Sequence, residues 1–205
     1  MNKNFNNISP LDNRYSAKIE QTRANFSEGA LVKIRYIIEI DWLIFICVNK
    51  PNLFKSISKT TINKLLKFKD SFNETSVARI KEIESVTNHD VKAIEYFIRE
   101  QFEKDSVLKN YIHLIHFGLT SEDINSLSYA VMIKNGIKLY LEELNILKND
   151  IKSKSKKWSK EVFLARTHGQ PASPSTLGKE MSVFNSRLYD QIKVLKNISP
   201  LAKFS

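Results

Sequence analysis

Beginning at Ser27, a fitting N-cap, apolar side chains recur at helical spacing through Leu31, Ile34, Ile37, Ile38, Trp42, Leu43, Phe45 and Ile46 until Pro51. They cover so much of the circumference that the predicted helix is buried on several sides, and Cys47, inside the same pattern, reads as core. A second helix is predicted from Thr60 to Phe72, with Ile62, Leu65, Leu66 and Phe68 as its apolar side, and a shorter helical piece from Val77 to Ile83. Ser85-Val86-Thr87-Asn88-His89-Asp90 then interrupts the pattern before Val91, Ile94, Phe97 and Ile98 resume it. Asn88 or Asp90 suits the capping of free backbone amides at such a helix start. Capping does not explain a histidine between them, which makes His89 a functional candidate, whereas Lys92 and Glu95 read as ordinary solvated positions.

A second polar break runs from Tyr111 to Asp123, where Gly118 stops one pattern and Thr120 or Ser121 caps the next, with Glu122 and Asp123 in the first turn. A helix start of this kind offers free N–H groups and two hydroxyls, which suits a carboxylate or phosphate. The helix that follows carries Ile133, Ile137, Tyr140, Leu144, Leu147 and Ile151 at alternating steps of four and three. Continued toward Trp158, that seam spans roughly 60 Å at ~1.5 Å per residue, too long to be buried within one small domain, so it predicts a bundle of long helices. The third break is Arg166-Thr167-His168-Gly169-Gln170-Pro171, after which Ser173-Pro174 is expected to open a final helix with Leu177, Met181, Phe184, Leu188, Ile192 and Leu195 as its seam. A histidine beside glycine and proline is held in a turn, so its ring can project into a cleft. With an ordinary imidazole pKa near ~6.5, a histidine so placed exchanges a proton at little cost at neutral pH.

Composition narrows the picture. Between Pro51 and Pro171 the chain has no proline, and its glycines there are Gly118, Gly136 and Gly169, so the interval is predicted to be helical. The 32 basic against 22 acidic residues give a net charge of +10, which raises a nucleic-acid surface as a possibility. The lysines are scattered and mixed with Glu and Asp, and the one local concentration, Lys148 to Lys157, reads as a solvated helix end. Cys47 is the only cysteine, so no intrachain disulfide is possible. No signal segment and no apolar run near the ~18 residues of a membrane span is found. A cytoplasmic protein is expected, with no membrane and no nucleic-acid partner. His113 and His116, three apart, lack a third ligand at metal-binding spacing, so no metal site is expected.

Arg14-Tyr15, Thr87-Asn88-His89-Asp90, His116-Phe117-Gly118-Leu119-Thr120-Ser121-Glu122-Asp123 and Arg166-Thr167-His168-Gly169-Gln170-Pro171, in this order, resemble the adenylosuccinate lyase family of the fumarase/aspartase superfamily. The similarity extends over essentially the whole chain, including Gly178-Lys179-Glu180-Met181. The resemblance implies an all-α fold: a small N-terminal helical domain over residues 1–115, then the first long helices of a central bundle over 116–205. It implies an anti β-elimination releasing fumarate from adenylosuccinate, to leave AMP, and from succinylated aminoimidazole carboxamide ribotide in purine biosynthesis, without a cofactor. By resemblance His168 is the general acid and His89, flanked by Asn88 and Asp90, binds substrate and assists the proton transfer. Arg14 and Tyr15 contact the nucleotide phosphate, Thr120 and Ser121 hold the succinyl portion, and His116 and Gln170 lie near the same pocket.

The family's base is a serine on a mobile loop of the form Ser-Ser-x-Met-Pro-x-Lys-x-Asn-Pro, which matches nothing in the 205 residues. That loop, the rest of the bundle and a third domain are expected beyond residue 205. Family active sites combine segments from three subunits of a homotetramer, so the chain alone is expected to be inactive or nearly so. Other readings are a superfamily lyase with a different substrate and a non-catalytic helical assembly fragment. A basic nucleic-acid-binding helical protein ranks last.

Overall fold

The computed structural model describes residues 7, 9, 12, 14–50, 52–54 and 56–203. Pro10, Leu11 and Asn13, which belong to the expected N-terminal turn, and Pro51, the expected helix stop, lie outside the described residues. The chain divides into two compact units, Met1–Ile133 with Pro200–Ser205, and Lys134–Ser199.

The first unit is built around the predicted apolar helix. After α1 (Glu20–Phe26), the Ser27 side chain accepts from the Ala30 amide and starts α2 (Glu28–Asn49). Helices α3 (Lys59–Asp70), α4 (Glu74–Thr87) and α5 (Asp90–Glu103) pack on it. Tyr36, Ile40, Leu43, Cys47, Leu65, Ile80, Ile94, Ile98 and Phe102 form the buried centre. Tyr36 stands edge-on to Phe68 and Phe97 and donates its hydroxyl to the Phe68 carbonyl at 2.9 Å. Burial, with Asp70 nearby, pushes that phenol well above its ordinary value, so it stays a donor. Helix α4 is longer than the piece expected over Val77 to Ile83. A capping box between Asn73 and Ser76 starts it, and it runs through Ser85-Val86-Thr87 to a break confined to Asn88 and His89.

The second unit contains most of α6 (Ser121–Lys157), whose start and 37-residue length agree with the expected long helix. Its seam residues Tyr140 and Leu147 are exposed within this chain. The all-α expectation holds, with one addition among the described residues: an antiparallel hairpin of β1 (Val162–Thr167) and β2 (Gln170–Thr176). This corrects the expectation that Ser173-Pro174 opens the last helix. Pro174 lies in β2 opposite Leu164, and α7 (Leu177–Lys196) begins at a Thr176 cap. The reason is the turn: His168 and Gly169 both have positive φ, 50° and 76°, as a two-residue type I′ hairpin loop requires. The register shifts between the Leu164–Pro174 and Arg166–Pro171 pairs, and in a two-stranded sheet both strands are edges, where proline is tolerated.

Candidate active site

Three polar breaks interrupt the helices, and each contains a residue with an unusual backbone. Asn88, His116 and His168, at φ 50°, 60° and 50°, are the non-glycine residues with positive φ among the described residues. Such conformations cost free energy unless their surroundings hold them, and they gather at functional sites.

At the first break, Asn88 ends α4 in the left-handed region, which an Asn tolerates, and His89 returns to extended backbone as the N-cap of α5. Here a sequence-based expectation fails, because capping does explain the histidine: His89 Nδ1 accepts from the Lys92 amide at 3.2 Å. The neutral ring therefore carries its proton on Nε2, and the half-exposed side chain can offer that proton outward. Asp90 accepts from the Val91 amide at 2.8 Å and pairs with the buried Arg35 at 2.7 Å. Partial burial raises its pKa, but the amide and the guanidinium outweigh burial, and the carboxyl lies below the usual carboxylate range. Asn88, His89 and Asp90 open with Lys81, Glu84 and Ser85 onto a groove of about 600 Å³.

The second break carries the residues that sequence reasoning missed. His116 Nδ1 lies 2.6 Å from Glu39 Oε1, and its Nε2 lies 3.8 Å from Glu95 Oε1. Lys92 Nζ completes the set, 2.9 Å from Glu95 Oε2. Glu39 and Glu95 are buried, at 2% and 3% exposure, which corrects the reading of Glu95 as a solvated position, whereas the Lys92 side chain remains half-exposed. Arg35 pairs with Asp90 and Lys92 with Glu95, which leaves the imidazole of His116 as the close partner of Glu39. Burial alone would lower the imidazole pKa, but the hydrogen bond to Glu39 and the charges of Glu39 and Glu95 prevail and raise it. A signal for this was present in the sequence, since Arg35 and Glu39 fall four apart among Val32, Tyr36, Leu43 and Ile46 on the buried side of α2.

Five residues on, α6 starts. The Thr120 amide and hydroxyl both donate to Asp123 Oδ2, at 2.8 and 3.0 Å. Glu122 and Asp123 already answer the positive end of the helix, and Thr120 directs both its amide and its hydroxyl to Asp123. Near the N-terminus, the Arg14 guanidinium and the Lys18 ammonium lie 5.5 and 5.9 Å from the Tyr15 ring centroid, which sets two exposed cations around one exposed ring. The structure thus brings Asn88, His89 and Asp90 to one groove and ties His116 to them through Lys92 and Glu95.

In the second unit, His168 occupies the tip of the hairpin with its ring exposed, and Gln170 begins β2 opposite Thr167. Arg166 Nη1 donates to the Gly169 carbonyl at 3.2 Å and so buttresses the turn.

A sequence profile of the family described as Lyase matches residues 13–204. The chain belongs to this lyase family. It is 42% identical to the adenylosuccinate lyase of Haemophilus influenzae over 97% of its own length and 38% identical to that of Escherichia coli K12, also over 97%. These alignments cover 44% of either relative, so the chain spans less than half the length of the curated relatives it matches. The fold is that of a fumarate lyase from Mesorhizobium sp. BNC1, with a TM-score of 0.73 at 17% identity over 91% of this chain and 42% of the other. A 3-carboxy-cis,cis-muconate lactonizing enzyme from Pseudomonas putida shares it, with a TM-score of 0.66 at 15% identity over 92% and 41%. The lyase family and the helical architecture inferred from the four motifs are thereby borne out. Among the described residues no helix is long and apolar enough to cross a membrane.

Proposed function

We propose that this chain carries part of an adenylosuccinate lyase active site, working in the cytoplasm as part of a homotetramer. The observation that carries the reading is the coincidence of each of the three left-handed non-glycine residues, Asn88, His116 and His168, with one of the family motifs. The similarity to adenylosuccinate lyases across nearly the whole chain supports the choice of substrate.

In this reading Arg14 and Tyr15 meet the nucleotide phosphate, with a guanidinium fork as the natural partner of a dianion. Thr120 and Ser121 hold the succinyl carboxylates. Asn88, His89 and Asp90 line the substrate groove, where His89 donates from Nε2 while its Nδ1 remains committed to the α5 cap. His168, with Gln170 beside it, delivers a proton to the departing nitrogen as the C–N bond breaks. A base withdraws the proton from the adjacent carbon, and fumarate leaves together with AMP or with aminoimidazole carboxamide ribotide. The 205 residues contain no match to the family's serine loop, so that base is supplied from elsewhere. The division into an N-terminal domain over 1–115 and a bundle domain over 116–205 belongs to the same proposal.

The test is a fumarate-release assay on the 205-residue chain together with thermal-shift titrations. The chain alone is expected to release essentially no fumarate and to be stabilised by AMP but not by argininosuccinate. Turnover comparable to a full-length lyase would overturn the missing base. Stabilisation by argininosuccinate and not AMP would overturn the choice of substrate.

A further inference from the structure

His116 sits in a conformation that a non-glycine residue does not choose unaided, with Gly118 at φ 69° two residues later and Thr120 and Ser121 just beyond. What holds it comes from two other helices. Glu39 reaches from α2 to Nδ1 at 2.6 Å, and Glu95 reaches from α5 toward Nε2 at 3.8 Å. Glu39 Oε2 is buried without a hydrogen-bond partner among the described residues, so the hold of this carboxylate on the turn is its Oε1 contact with His116. Trp42, one turn further along α2, donates to the Phe117 carbonyl at 2.9 Å, so α2 grips the turn by backbone as well.

We propose that Glu39 and Glu95 are positioning residues: by gripping His116 from α2 and α5 they fix the left-handed turn that presents Thr120 and Ser121, at the start of α6, to the dicarboxylate end of the substrate. The substrate half of this inference rests on the proposed function, and the grip itself does not. Both ring nitrogens of His116 are turned to protein carboxylates, so its part is to anchor the turn rather than to exchange protons with substrate. The charged groups that face it are Glu39, with Arg35 one turn earlier, from α2, and Glu95 and Lys92, with Asp90 at the helix start, from α5. The imidazole pKa is raised in the fold. The grip is therefore complete below the unfolded value near ~6.5 and weakens as pH rises through the higher folded value.

The experiment is nuclear magnetic resonance on the 205-residue chain and on Glu39→Gln, Glu95→Gln and His116→Asn. The last keeps a residue that tolerates positive φ and removes the imidazole. Three quantities are read: the His116 titration midpoint, amide exchange over residues 117–121, and shifts of Thr120 and Ser121 on addition of fumarate. In Glu39→Gln the midpoint is expected to fall by about one pH unit or more. Exchange over 117–121 should rise about tenfold and fumarate binding weaken about tenfold, with smaller changes in Glu95→Gln. His116→Asn should reproduce the exchange and binding losses. Unchanged exchange in a folded Glu39→Gln and in His116→Asn overturns the grip. Fumarate binding as tight in both variants as in the unaltered chain overturns the positioning role. If fumarate shifts neither Thr120 nor Ser121 in the unaltered chain while Glu39→Gln still loosens the turn, the substrate reading fails and the grip alone survives.

Discussion

Gly178→Ala is expected to destabilise the unit that carries His168, although alanine is the better helix former. A Cβ at Gly178 would lie 2.3 Å from the Ser155 carbonyl oxygen and 2.6 Å from both Cα and N of Ser159. All three are backbone atoms at and just past the end of α6, so no side chain can swing aside. Ordinary contact lies near ~3.5 Å, so α7 must retreat by about 1 Å. That retreat strains two bonds, Gly178 N–H to the Trp158 carbonyl at 2.9 Å and Ser155 hydroxyl to the Gly178 carbonyl at 2.8 Å. Overpacking costs about 1–3 kcal/mol. Weakening two hydrogen bonds adds about 1 kcal/mol. The helix propensity of alanine returns about 1 kcal/mol. The net loss is about 1–3 kcal/mol, or about 5- to 150-fold faster exchange of amides that open with the whole unit. The Leu177 amide donates to the Glu161 carbonyl and Val162 pairs with Thr176 at the same place, so the base of the His168 hairpin loosens as well. Hydrogen exchange resolved over β1, β2 and α7, with circular dichroism to follow melting, reads both effects. Gly118→Ala is the control: nothing lies within 4 Å of its Cβ position, and its cost, about 1–2 kcal/mol, comes from φ +69° alone. A Gly178→Ala chain as stable as the parent would refute the close crossing.

Tyr36→Phe keeps the ring contacts with Phe68, Phe72 and Phe97 and removes one donor from the Phe68 carbonyl, which still accepts from the Ser71 hydroxyl and amide, so a loss of no more than about 1 kcal/mol is expected in urea unfolding. Asp90 has a depressed pKa in the fold, so its contribution is fully present above the unfolded value near ~3.9 and is lost as pH falls through the lower folded value. Asp90→Asn should therefore reduce stability at neutral pH and flatten its decline on the acid side, as urea midpoints across that range would record. His168→Asn should preserve the hairpin, because Asn accepts positive φ, whereas His168→Val should weaken the Thr167–Gln170 pairing by about 1–2 kcal/mol, visible as faster amide exchange at the strand ends.

Apolar periodicity alone located α2, α3 and α5, because each buries a face that the spacing of Ile, Leu and Phe marks in advance, and it located the long α6 as well, although the seam of α6 stays largely uncovered within this chain. It failed where a polar residue does core work. Arg35, Glu39 and Glu95 occupy buried positions in α2 and α5, and a reading that assigns charge to solvent cannot see that three helical segments meet around His116. The His89 cap was obscured for a related reason: an imidazole Nδ1 can take the place of an Asn or Asp oxygen, but propensity favours the commoner residues. At the hairpin the proline at 174 competed with the glycine at 169 as the local signal, and the left-handed pair His168-Gly169 decided the outcome. Each of these places has a histidine at or beside a positive-φ position. A histidine can stand in for Asn in a turn and still offer a titratable ring, so a position that serves the backbone can also serve chemistry. The test of that link is whether Asn, which satisfies the backbone at 168 and lacks the proton-transferring ring, preserves the fold there while removing catalysis in an assembled enzyme.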